Sequence, residues 1–234
     1  SRFVCPYHAW AYGLSGELRA ARQMPDDFDT SGIALKQIQV RVFEGLIMVN
    51  FADEPALFDP IVEDLGPALR PYRLDHAKVA HRQSYPIAAN WKLAVENYKE
   101  CYHCGPAHPE YSRGHGLAIP WEKNAAAIAE VMARAEACGL TSINMNKTYD
   151  AAGAFGTDRA YQRYPLLRGH LTGSRDGQPV APLMGEISAY DGGATDFKVG
   201  PLMFALAYCD HVVLYRFTPL AIGLTDCDIT WLVN

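Results

Sequence analysis

Two histidines, His103 and His108, are separated by four residues in the stretch Glu96-Asn97-Tyr98-Lys99-Glu100-Cys101-Tyr102-His103-Cys104-Gly105-Pro106-Ala107-His108-Pro109. Upstream, Trp91, Ala94, Val95, Tyr98 and Tyr102 recur at three- and four-residue intervals, which predicts a helix over 90–104 that stops at Gly105-Pro106. On an unbroken helix side chains five apart point roughly 140° away from each other and could not close on one ion. The Gly-Pro break would let His108 swing toward the face of His103, where Glu96, Glu100 and His103 form a polar stripe at i, i+4 and i+7. Two imidazoles beside a carboxylate, with coordination positions left open, suit a divalent metal and match the two-histidine, one-carboxylate face used by non-haem Fe(II) oxygenases. The same residues admit two other readings. The stripe can be a solvated face whose histidines favour the negative end of the helix dipole. Cys101-x-x-Cys104 followed by His108 can instead hold zinc, although no further C-x-x-C or H-x-x-x-H completes four ligands.

The start of the chain carries a second chemical step. Val4-Cys5-Pro6-Tyr7-His8-Ala9-Trp10 places a cysteine and a histidine three apart in a turn-rich, β-like context, where both could ligate one cluster; the alternative is a buried Cys beside a surface His. Cys5-Pro6-Tyr7-His8-Ala9-Trp10 resembles the second half of a Rieske [2Fe–2S] motif. Glu96 through His108-Pro109 resembles the mononuclear iron motif of the Rieske non-haem iron oxygenase α subunits, the ring-hydroxylating oxygenase family, and the two motifs occur in that family's order. The wording from Glu96 to Cys104 is similar to the choline, glycine-betaine and quaternary-ammonium monooxygenase branch. So are the runs Tyr208–Pro219 and Thr230–Val233.

The resemblance implies roles for named residues. Cys5 and His8 would bind the [2Fe–2S] cluster, His103 and His108 would bind Fe(II), Glu100 would bridge electron transfer between subunits of a homotrimer, and Asn97 is a further catalytic candidate. Electrons would come from NAD(P)H through a separate flavin/iron-sulfur reductase, and O2 and a small organic substrate, such as a quaternary amine, would meet at the iron for hydroxylation or demethylation. Tyr102, Trp121, Phe204, Tyr208 and Phe217 are candidate walls of an aromatic substrate pocket, where a cation could rest on ring faces. A Rieske cluster takes two cysteines on one iron and two histidines on the other, so a further Cys-x-His is expected upstream and the iron's carboxylate downstream, making this an inactive interior piece of a longer subunit. Asp226 and Asp228 read instead as hairpin-turn residues. The alternatives are an aromatic-ring dihydroxylating dioxygenase of the same family, or a non-enzymatic helix-grip domain that binds a ligand or zinc.

The elements that must position these residues read as an α+β chain. Residues 1–45 carry short β pieces, the remainder of a small β-rich Rieske domain, and 46–234 form a helix-grip catalytic domain with an antiparallel sheet. Leu57–Arg73 reads as short helical pieces limited by Pro60 and Pro67, and 78–87 as a strand. Ala125–Cys138 reads as a helix closed by Gly139, 145–200 as Gly-rich and irregular, and 202–218 and 227–233 as alternating strands. The net charge of −5 without a basic cluster argues against a nucleic-acid partner, and no apolar run reaches the ~18 residues of a membrane span. Six cysteines without framework spacing suit a reducing compartment, with cytoplasm as the expectation.

Overall fold

The computed structural model describes residues 1–115, 121–140, 147–150 and 157–234, which fall into two compact units. The first comprises residues 1–42 and 47–57. Its strands β1 (Phe3–Val4), β2 (Ala11–Tyr12) and β3 (Leu18–Ala20) pair antiparallel in that order. A hairpin follows, β4 (Gln39–Phe43) and β5 (Leu46–Asn50), whose tip, residues 43–46, groups with the second unit. The tip needs Gly45: its φ is +81°, and a Cβ there would stand 2.7 Å from the Asp75 Cα.

The second unit is built on a seven-stranded sheet in the order β6 (Lys78–Ile87), β12 (Leu224–Val233), β11 (Val212–Ala221), β10 (Met203–Ala207), β9 (Gly193–Val199), β8 (Thr157–Pro165) and β7 (Lys147–Asp150). Every pairing in it is antiparallel. Helix α1 (Asp59–Leu69) runs on past Pro67 as one helix where short pieces were expected, then tightens into a 3-10 turn over Arg70–Tyr72. Its Pro60 sits in the first turn, where a missing N–H costs no hydrogen bond.

Helix α2 (Trp91–Lys99) turns Ala94, Val95 and Tyr98 onto the sheet residues Phe204, Phe217, Cys227, Tyr215 and Ile229. The Tyr98 ring lies 4.5 Å from Phe204 and 4.9 Å from Tyr215, centre to centre. After α2 come two short helices, α3 (Cys104–Ala107) and α4 (Pro109–Gly114), and then α5 (Trp121–Ala137), which packs on β8. Gly139, at φ +87°, follows α5 as a left-handed terminator. This is the α+β arrangement expected, a helix held against an antiparallel sheet.

Two local expectations are corrected. Strands β8 and β9 occupy much of the span read as irregular, because its glycines cluster in the connection between those strands; Gly153 and Gly156 lie outside the described residues. The remaining irregular stretch, 166–192, is pinned down. Leu166 N–H donates to Gly192 O, Met184 N–H donates to Cys209 O, and buried Asp210 accepts from Val180 N–H at 2.9 Å and from the Thr172 hydroxyl. Asp226 and Asp228 lie within β12 instead of at a turn, since the chain reverses at Ile222-Gly223; Asp226 accepts from Ser84 and Asp228 pairs with Arg216 and Arg82.

Candidate functional site

Helix α2 begins at Asn90, whose side chain accepts from Lys92 N–H at 3.0 Å and donates to Ile222 O at 2.8 Å. It ends at Lys99, five residues before the expected stop, and Glu100 is already extended, with ψ at 144°. The cause is Glu100 itself. One carboxylate oxygen accepts from Tyr102 N–H at 2.6 Å, closing a tight side-chain turn, and the other meets His103 Nδ1. Gly105-Pro106 therefore does not break the helix; both residues sit in the first turn of α3, where Pro106 forfeits no intrahelical bond. That single turn brings His108 round, with Ala107 N–H donating to His103 O and His108 N–H to Cys104 O. The two imidazole centres come to lie 5.3 Å apart with their planes at 78°.

This spacing can be tested against a shared ion. A metal about 2.1 Å from one nitrogen of each ring lies about 3.2 Å from each ring centre, and two such rings seen at about 110° stand about 5.3 Å apart. The observed separation fits. Among the described residues no group of three His, Cys, Asp or Glu side chains is placed to hold one ion. Glu100 is held below the usual carboxylate range, chiefly by its contact with His103. Binding Nδ1 leaves Nε2 of His103 as the nitrogen for a metal, in the way a carboxylate fixes a ligand imidazole. Cys101 is exposed and Cys104 buried, their thiols hydrogen-bonded, and burial first and that bond second push the Cys101 thiol up to about 12.

In the first unit, Cys5 and His8 sit in the turn between β1 and β2, closed by Cys5 N–H to Trp10 O at 2.8 Å and Ala9 N–H to Cys5 O at 3.0 Å. Cys5 is half-buried and His8 exposed beside Tyr7, their rings 3.7 Å apart. A half-buried sulfur and an exposed imidazole on one loop fit one ligand for each iron of a Rieske cluster.

Of the other sequence candidates, Phe204 and Phe217 are brought together, their ring centres 5.9 Å apart, whereas Asn97 and Tyr102 stand exposed. Asn97 is exposed on α2. Tyr102 is 97% exposed, Phe204 and Phe217 are buried under α2, and Tyr208 is buried beside Tyr164 and Leu206. The Trp121 side chain lies outside the described residues. Two groups went unnoticed in the sequence. His115 is buried, 2.7 Å by Nδ1 from Tyr111 O and 2.7 Å by Nε2 from the Tyr208 hydroxyl, and burial first lowers it to about 4. Asp196, on β9, is pushed up to about 7 by burial. A lone acid within an apolar, alternating strand was the signal for the latter.

A nine-residue helix on an antiparallel sheet, with two imidazoles brought close together beyond its exit, is the helix-grip arrangement expected of an oxygenase α subunit. Residues 74–234 match the ring hydroxylating alpha subunit (catalytic domain) family, and the chain belongs to that family. Over its whole length it is 33% identical to the glycine betaine monooxygenase oxygenase subunit of Pseudomonas aeruginosa, covering 54% of that protein. Over 47% of its length it is 39% identical to the carnitine monooxygenase oxygenase subunit of Acinetobacter baumannii, covering 30% of that one. The chain thus spans about half the length of the curated relative it matches end to end. Among solved structures, the quaternary ammonium Rieske monooxygenase CntA aligns over 99% of this chain and 52% of its own, with a TM-score of 0.64 at 19% identity. Naphthalene 1,2-dioxygenase aligns over 99% and 53%, with a TM-score of 0.61 at 20% identity. Among the described residues no helix is long and apolar enough to cross a membrane.

Proposed function

We propose that this chain is the central part of an oxygenase α subunit that hydroxylates or demethylates a small quaternary amine, with residues 1–45 contributing to a Rieske domain and 46–234 to the catalytic domain. The observation that carries the reading is the approach of His103 and His108 to a separation that one ion can bridge. In this reading those two imidazoles hold Fe(II), Cys5 and His8 hold part of a [2Fe–2S] cluster, and the metals supply O2 activation and one-electron transfer when bound.

The chain's own residues then have distinct tasks. Glu100 fixes the tautomer and direction of the His103 ring and, by its partial exposure, can accept a contact from a neighbouring subunit's cluster ligand. Asn97 lies one helical turn before Glu100–Cys101, on the exposed side of α2. Tyr98, Phe204 and Phe217 anchor α2 and keep water from the sheet side of the site. A flavin/iron-sulfur reductase oxidising NAD(P)H is the electron source, and a homotrimer is the assembly that would place a cluster beside Glu100.

The test is to purify the intact subunit, measure iron and acid-labile sulfide, and follow O2 uptake with a reductase and NADH. Uptake coupled to oxidation of glycine betaine or carnitine supports the reading. Stoichiometric zinc without sulfide supports a ligand- or zinc-binding domain instead, and uptake with arenes alone supports the aromatic-ring alternative.

A further inference from the structure

Asp196 has no task in the scheme above. Strand alternation and register put Ala194, Asp196 and Lys198 of β9 on one sheet face, with Gln162 and Tyr164 of β8, Phe204 and Leu206 of β10 and Val213, Tyr215 and Phe217 of β11. This is the face covered by α2 through Tyr98 and by α4 through Tyr111. The opposite face is closed separately, where Phe197 meets Tyr72 and Tyr161, and Arg163 meets Thr195 and Asp191.

Among the described residues the Asp196 carboxylate has neither a hydrogen-bond donor nor a cation. Burial alone raises it, and part of its surface stays open. Its charge reaches groups on the elements that share or cover this face. After burial, it helps push up the phenols of Tyr98, Tyr111, Tyr164, Tyr208 and Tyr215, and the thiol of Cys101. These come from α2, α4, β8, β11, the position just after β10 and the turn that leads to His103.

A buried carboxylate without a partner is costly and persists where a ligand completes it. A metal ion would need several oxygen ligands, and one carboxylate is present. A primary ammonium would need three acceptors, and the Tyr111, Tyr164 and Tyr208 hydroxyls are already engaged in hydrogen bonds of their own. A trimethylammonium head has no N–H to satisfy; it needs negative charge and π surfaces, and the sheet face that carries Asp196 also carries Tyr164, Phe204 and Tyr215.

We propose that Asp196, with Tyr98, Tyr111 and Tyr215 around it, is the anchor for the cationic head of the substrate. The proposal rests on the quaternary-amine reading of the site and adds its specificity residue. Where the substrate also bears a carboxylate, that end must point away from Asp196.

The test compares choline with its uncharged isostere 3,3-dimethyl-1-butanol by calorimetric titration of the metal-loaded, intact subunit, as wild type and as Asp196→Asn. The expected result is that the variant loses roughly tenfold or more in choline affinity and less than about twofold for the alcohol. Wild-type choline affinity should also rise between pH 6 and 8, as the carboxylate ionises, with a flat profile in the variant. Thermal melting provides the folding control, and the variant should match or exceed wild type because a buried charge is removed. Unchanged choline affinity in a folded variant, or parallel loss for both ligands, overturns the anchor while leaving quaternary-amine oxidation standing. A wild-type protein that binds both probes equally and turns over only arenes overturns the quaternary-amine reading itself.

Discussion

His115 makes the sharpest stability prediction, because its two hydrogen bonds assign its protonation. Tyr111 O can only accept, so Nδ1 carries the proton, and Nε2 receives the Tyr208 hydroxyl. Charging the ring would place a second proton opposite that hydroxyl in a buried site, and burial accordingly lowers the folded-state value to about 4 from 6.5. A depressed histidine destabilises the fold in acid. The unfolded chain takes up a proton below about 6.5 and the folded chain only below about 4, so stability is complete above pH 6.5 and falls between those values. About two and a half units, at about 1.36 kcal/mol each, amount to roughly 3 kcal/mol. Asp196 acts with the opposite sign: its raised folded value stabilises at low pH and is lost as pH rises toward 7. The clean quantity is therefore the difference between wild type and His115→Gln. Urea unfolding at half-unit steps from pH 7.5 to 4 should show wild type losing roughly 3 kcal/mol relative to the variant. Parallel curves across that window would refute the buried, neutral assignment of His115.

Three further outcomes follow from the same geometry. Tyr98→Ala removes the ring that joins α2 to Phe204, Tyr215 and Phe217, and should cost about 3–5 kcal/mol in denaturant unfolding, with weaker iron retention because α2 leads directly to Glu100 and His103. Asn90→Ala removes the cap of α2 and its bond to Ile222 O, and should cost about 1–2 kcal/mol, visible in the melting temperature. Glu100→Gln in the intact subunit should slow turnover by about tenfold or more while both metal contents stay at wild-type levels, measured by O2 uptake alongside iron and sulfide analysis.

The strands at the end of the chain and the helix before His103 were legible in the sequence, because alternation and three-to-four-residue spacing report directly on which side of an element is covered. The end of α2 was not. Tyr102 kept the apolar period running on paper, yet it is 97% exposed and lies beyond a turn closed by Glu100's own carboxylate. Gly105-Pro106 looked like a terminator, and the same two residues are acceptable in a first helical turn. Asp196 escaped notice for a different reason. The glycines of 145–200 make that span read as irregular, so β9 is not seen as a strand, and only the tertiary structure, with α2 and α4 over one face and the Tyr72–Arg163 layer over the other, shows that both of its faces are covered.

The decisive measurement is anomalous diffraction from crystals of the iron-loaded, intact subunit, recorded on both sides of the iron absorption edge. The account predicts a single-atom iron peak between the rings of His103 and His108, about 2.1 Å from one nitrogen of each, with Glu100 still on His103 Nδ1. Iron bound elsewhere, or a peak touching only one of the two imidazoles, would contradict it.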